Sequence, residues 1–161
     1  MNIAFVLNGE DVSIDADGEV RLVDILRNSF NLAGTKSGCR TGKCGACSVL
    51  FNGDVVKSCL VPVFKIRGSE IITIEGFSKT DEYKDIARAM ADAGVHSCGF
   101  CESGKIMAMA ALVSRDTHPV KNDILAGFSG IRCRCTDPDA LVRAAVAAIE
   151  YRRKKVYGRS S

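Results

Sequence analysis

Eight cysteines in 161 residues, set in two groups of four, constrain this chain more than any other feature. Cys39, Cys44 and Cys47 make a C-x4-C-x2-C loop, and Cys59 follows after eleven intervening residues. Cys98 and Cys101 form C-x2-C, while Cys133 and Cys135 form C-x-C. The opening residues carry Asn8, Gly9 and Glu10 where a secretion signal needs its apolar stretch, and nowhere do about 18 apolar residues run unbroken. That reading predicts a cytoplasmic chain with no membrane association, or one whose location a partner decides. In such a reducing compartment thiolates bind metal or do redox chemistry more often than they form structural disulfides. The net charge of +3, evenly spread, leaves no electrostatic footprint for nucleic acid.

The pattern of apolar residues divides the chain in two. Ile3 to Leu7, the Asn8-Gly9 turn and Asp11 to Asp15 read as a β-hairpin. Leu22, Ile25 and Leu26 mark a short amphipathic helix. A loop rich in glycine and cysteine follows from Gly34 to Cys47. Ser48 to Phe51 and Val55 to Cys59 flank Asn52-Gly53, a second hairpin signal, and Ile71 to Ile74 reads as a further strand. After Gly76 the spacing becomes helical. Tyr83, Ile86, Ala87 and Met90 lie on one helix, capped by Thr80 or Ser78 and ended by Gly94. A second helix spans about Ser103 to Ser114, through Ile106, Met107, Ala110 and Ala111. A third holds Ile124, Leu125 and Phe128, and a last one begins at Asp137-Pro138 and carries Leu141, Ala144, Ala145, Ala148 and Ile149. The fold class is therefore α+β, a small mixed domain over 1–77 followed by a helical domain over 78–161.

The first cysteine group has the spacing of plant-type 2Fe-2S ferredoxins. A loop wrapped on an inorganic core delivers three thiolates while turning backbone N–H groups toward sulfur. Gly38, Gly42 and Gly45 let that backbone come close, and Arg40 and Lys43 stand near enough to offset negative charge. Zinc knuckles come instead as paired C-x2-4-C units. The second group lies at two helix N-termini, where free N–H groups and partial positive charge favour bound anions. Its spacing alone leaves zinc and iron-sulfur both open.

Taken together, G-C-R-T-G-K-C-G-A-C-S-V from Gly38 to Val49, S-C-L from Ser58 to Leu60, C-G-F-C from Cys98 to Cys101 and C-R-C-T from Cys133 to Thr136 resemble the small iron-sulfur subunit of the molybdenum hydroxylase (xanthine oxidase) family. The resemblance spans essentially the whole chain. It implies a β-grasp, plant-type ferredoxin-like domain followed by an all-α four-helix iron-sulfur domain. It also implies a 2Fe-2S cluster on Cys39, Cys44, Cys47 and Cys59, and a second on Cys98, Cys101, Cys133 and Cys135. The implied partners are a large molybdopterin-binding subunit near the second cluster and a medium FAD-binding subunit near the first, so molybdopterin and FAD are expected on partner subunits. Three departures stand out. Ser97 replaces a glutamine that reaches the pterin, Glu102-Ser103-Gly104 replaces Thr-Pro-Gly, and Gly130 to Pro138 differs from the usual G-N-L-C-R-C-T-G-Y.

The remaining candidates read more plainly. His96 and His118 are surface or loop histidines, with no metal role while four cysteines stand by. Met90, Met107 and Met109 read as packing. Arg132 and Arg134 read as solvated or as balancing cluster charge. The basic tail, Tyr151 to Lys155 with Arg159, reads as solvated, with docking to an acidic partner as the alternative. No acid-base pair or nucleophile constellation appears, so the expected role is electron relay within an oxidoreductase, with catalysis on another chain. A free two-cluster ferredoxin and a zinc-stabilised interaction module are the rival readings.

Overall fold

A computed structural model describes residues 1–115 and 118–158. Asn8 and Gly9 both take positive φ, 53° and 86°, and so close the hairpin of β1 (Asn2–Leu7) and β2 (Glu10–Asp15). Alternation along β1 buries Ile3, Phe5 and Leu7 on one face. Helix α1 (Leu22–Asn28) lays Leu22, Ile25 and Leu26 against that face. Strands β3 (Ser48–Phe51) and β4 (Asp54–Lys57) form the second hairpin, again through positive φ at Asn52 and Gly53. Strand β5 (Glu70–Ile72) lies parallel to β1 and antiparallel to β3, giving the sheet order β2-β1-β5-β3-β4. This mixed sheet with a helix across one face is the β-grasp arrangement that the family resemblance implies.

Two local elements differ from the sequence reading. Cys59 falls in a 3-10 turn, Ser58–Leu60, rather than at a strand end. The last strand stops at Ile72, because Asn8 captures the next residue: Thr73 N–H donates to Asn8 Oδ1 at 2.8 Å and Asn8 Nδ2 donates to Thr73 Oγ1 at 3.1 Å. The chain then turns into the one-turn helix α2 (Ile74–Phe77).

Four helices follow. Thr80 caps α3 (Asp81–Asp92) by accepting from Tyr83 N–H at 3.1 Å, and Gly94 takes φ +71° just beyond its end. Helix α4 (Glu102–Ser114) is buried almost all round and packs on α3, α5 (Lys121–Phe128) and α6 (Pro138–Tyr157). Asp137 caps α6 with proline at its first position, as the sequence reading anticipates. Helix α4 also lies against β3 and β4, and Leu50 and Phe77 of the first half join the helical core. The two halves are therefore packed against each other through α4, which carries one cysteine group to the edge of the other.

Candidate metal centres

The first group is held by a loop tied to α1. Arg40 forms a two-pronged ion pair with Asp24, 2.7 Å on each arm, and Arg21 donates to the Arg40 carbonyl at 2.6 Å. The Arg40 guanidinium thus anchors the loop, and its charge also acts on Cys59. Positive φ at Arg40 and Gly42, 58° and 76°, folds the loop inward. As a result the N–H groups of Thr41, Lys43 and Cys44 donate to Cys39 Sγ at 3.4, 3.2 and 3.3 Å. The Thr41 hydroxyl and N–H, with the Cys44 N–H, pull the Cys39 thiol down to about 5. Cys47 and Cys59 sit deeper, each 2% exposed and packed on Val23. Ser58 fixes their approach, its N–H and hydroxyl both donating to the Cys47 carbonyl, at 3.2 and 2.7 Å. Burial, then the neighbouring Cys47, push the Cys59 thiol up to about 11.

The second group comes from two loops. Cys98 precedes α4 and Cys101 is its N-cap, while Cys133 and Cys135 lie between α5 and α6. Burial opposes ionisation of Cys133. Contact with the Thr136 side chain, the Cys135 N–H at 3.4 Å, Cys101 and Lys105 outweigh it and bring the thiol to about 6. Burial, then Cys133, push Cys101 up to about 11. Cys98 is lowered by the Phe100 N–H and by Cys135, which is itself raised by Cys98.

In both groups the side chains meet as pairs. Cys39 faces Cys44 and Cys47 faces Cys59; Cys98 faces Cys135 and Cys101 faces Cys133. A two-iron core has two metal atoms that each take two thiolates, so this arrangement suits it. All eight thiols are free. Among the described residues no three His, Cys, Asp or Glu side chains form a group to hold one metal ion. The buried hydroxyls of Ser97 and Ser103 have no partner, and the ammonium of Lys105 is fully buried beside Cys133. Orphan donors and a buried cation around thiolates fit an anionic inorganic core. Sequence reasoning missed Lys105. Its signal was a lysine set directly before the apolar run Ile106 to Val113 of a helix.

The two groups are neighbours. Arg132 N–H, one residue before Cys133, donates to the Cys44 carbonyl at 3.0 Å. Glycines make this approach possible. A side chain on Gly45 would meet the Gly130 carbonyl at 2.5 Å, and one on Gly104 would strike the Gly45 carbonyl. Gly45 therefore serves the contact between halves, beyond the loop flexibility expected of it. The ring of Phe100 also reaches Gly38, where a side chain would meet it at 3.3 Å.

The other sequence candidates fall away from this chemistry. Lys43 contributes its backbone N–H, and the side chains of Arg132 and Arg134 point to the exposed surface. His96 is exposed and offers only its carbonyl, to Thr136, whereas His118 contacts Arg153 at 3.2 Å. Met90, Met107 and Met109 are buried in the helical core. In the tail, Lys155 pairs with Asp85 at 2.7 Å, Tyr151 donates to Asp92 at 3.0 Å and Arg152 donates to the Val113 carbonyl at 2.7 Å. Those groups bind the chain's own helices. Arg159 lies outside the described residues.

Comparison with known proteins agrees with this geometry. Residues 5–70 match the family described as 2Fe-2S iron-sulfur cluster binding domain, and residues 73–146 match the 2Fe-2S binding domain. The chain is 38% identical to the nicotinate dehydrogenase small FeS subunit of Eubacterium barkeri, over 89% of its own length and 92% of the relative's. It is 34% identical to the nicotine 6-hydroxylase small subunit of Paenarthrobacter nicotinovorans, over 88% and 86%. The crystal structure of quinoline 2-oxidoreductase from Pseudomonas putida 86 superposes with a TM-score of 0.81 at 31% identity, covering 96% of each chain. With two cysteine quartets on a β-grasp and a helical half, and with relatives of matching length, the chain belongs to the small iron-sulfur subunits of the molybdenum hydroxylase family.

Proposed function

We propose that this chain is the electron-relay subunit of a molybdopterin-dependent oxidoreductase, passing electrons from the molybdenum site of a large subunit through two 2Fe-2S centres to FAD on a medium subunit or to another acceptor. Cys39, Cys44, Cys47 and Cys59 would hold one centre, and Cys98, Cys101, Cys133 and Cys135 the other. The observation that carries the reading is the Arg132 N–H to Cys44 carbonyl bond of 3.0 Å, which joins a residue of one quartet to the backbone beside the other. When bound, a 2Fe-2S core takes up and releases single electrons. The chain's own part is to hold the two sites at fixed spacing, to neutralise thiolate charge with N–H donors and to keep the inner cysteines dry.

The division into residues 1–77 and 78–161 belongs to this reading, supported by one core between the sheet and α1 and another among the helices, the latter also taking in Leu50 and Phe77. So does a cytoplasmic location; no helix among the described residues is long and apolar enough to cross a membrane. Ser97 leaves the pterin contact to other groups, because its hydroxyl is buried and its side chain is short.

Metal and sulfide analysis of the purified protein tests the assignment. About four irons and four labile sulfides per chain are expected, falling to about two of each in Cys47→Ser or Cys101→Ser. A single zinc per quartet, or iron unaffected by both substitutions, would refute it. Larger molybdenum- and flavin-containing chains are expected to co-purify.

A further inference from the structure

Lys105 is the largest fully buried side chain among the described residues, with a relative exposure of 0%. Lysine is almost never buried so completely unless paired. Among the described residues no carboxylate forms an ion pair with it. Its Nζ instead lies 2.7 Å from Thr136 Oγ1 and 3.5 Å from Cys133 Sγ. Thr136 has one hydroxyl proton and donates it to the His96 carbonyl, so it accepts from Lys105. The remaining ammonium protons are left for sulfur. Lys105 also stands one helical turn after Cys101, whose carbonyl accepts the Lys105 N–H at 3.1 Å. Its charge therefore sits against the inner pair of the second quartet, in a helix whose next residues, Ile106 to Ala110, are all buried and apolar. Its burial weakens solvent screening of that charge.

The first quartet has no counterpart. Its sulfur donors are neutral N–H and hydroxyl groups, and the cation nearest it, Arg40, is paired with Asp24 and about half exposed rather than buried.

We infer that Lys105 sets the redox poise of the helical centre, raising its reduction potential above what the neutral donors around it would give. The inference rests on the reading that the second quartet holds a 2Fe-2S core. Reduction adds one electron and turns one ferric iron ferrous; no bond breaks and no proton need move. The added negative charge is stabilised by a cation that is already in place, whether or not the electron has arrived.

The test is a reductive titration of the cluster-loaded protein in its complex, followed by electron paramagnetic resonance. The signal altered by Cys133→Ser identifies the second centre. Lys105→Met is expected to shift that centre's one-electron equilibrium at least tenfold toward the oxidised form, about 59 mV, and to leave the first centre in place. Lys105→Arg, which keeps the charge, should stay much closer to the parent than Lys105→Met. An unmoved or raised potential in Lys105→Met, or equal displacement of both centres, would overturn the inference. Should Lys105→Met fail to assemble the second centre, unsubstituted protein carrying 15N at lysine Nζ decides. Spin-echo modulation from that nitrogen at the reduced second centre supports the proposal, and its absence refutes it. Parent protein without any second 2Fe-2S signal would sink the cluster reading and this inference together, a result distinct from a centre whose potential ignores Lys105.

Discussion

Asp24 and Arg40 show how much of the first centre depends on a contact outside the cysteines. The Arg40 side chain lowers the Asp24 carboxyl below its ordinary value, first through its hydrogen bonds and then through its charge. A carboxyl depressed in the folded state contributes fully above the unfolded value near 4 and loses that contribution as pH falls through the folded value. Asp24→Asn should therefore cost about 1 kcal/mol, after discounting for the partly exposed guanidinium, at any pH from about 5.5 to 8. Thermal bleaching of the cluster absorbance should move down by about 2–4 °C, equally across that range. A deficit that grows as pH falls below that range would contradict the sign, since protonation should erase it. At this scale the first four cysteines were legible from their spacing, while the second four became so only beside the first, because C-x2-C with C-x-C suits zinc as well. Arg40 and Lys105 were not. Both are cations near thiolates in sequence, and only the fold reveals that Asp24 takes one charge while Cys133 and Thr136 receive the other.

Among the elements, α4 bears the most. Met107 is wholly buried in it, and Met107→Ala should destabilise the protein by about 2–5 kcal/mol, read as a lower midpoint in urea. Gly104 makes a sharper case. Alanine there improves helix propensity by about 1 kcal/mol, yet its methyl strikes the Gly45 carbonyl, and such overpacking costs about 1–3 kcal/mol. Gly104→Ala should thus be net destabilising and should weaken the magnetic coupling between the two reduced centres, visible as narrowed splitting in their resonance signals. Hairpins and helix caps were readable because Asn-Gly, Thr80 and Asp137-Pro138 act locally. The end of β5 was not, because it depends on Asn8, 65 residues away along the chain. The closeness of the two cysteine loops was equally hidden, since glycine shows where a side chain is forbidden without showing what forbids it.

At the scale of the whole molecule the halves should melt together, because α4 packs on the sheet as well as on α3, α5 and α6. Stripping the metal should leave helical circular dichroism largely intact while opening the segments 34–47 and 129–137 to protease. The thiolates there would repel one another once no cation bridges them. Loss of most helical signal on chelation would show instead that the metal organises the fold itself.

The uneven depth of the cysteines has a practical result. Cys47 and Cys59 are each 2% exposed, whereas Cys98 and Cys135 lie open at the surface. A dissolved oxidant meets two exposed sulfurs at the helical end, but only the half-buried Cys39 and Cys44 at the other. Kept in air apart from larger chains, the subunit should spoil in two stages, the helical end fading first. A companion chain seated over that end would act as its preservative.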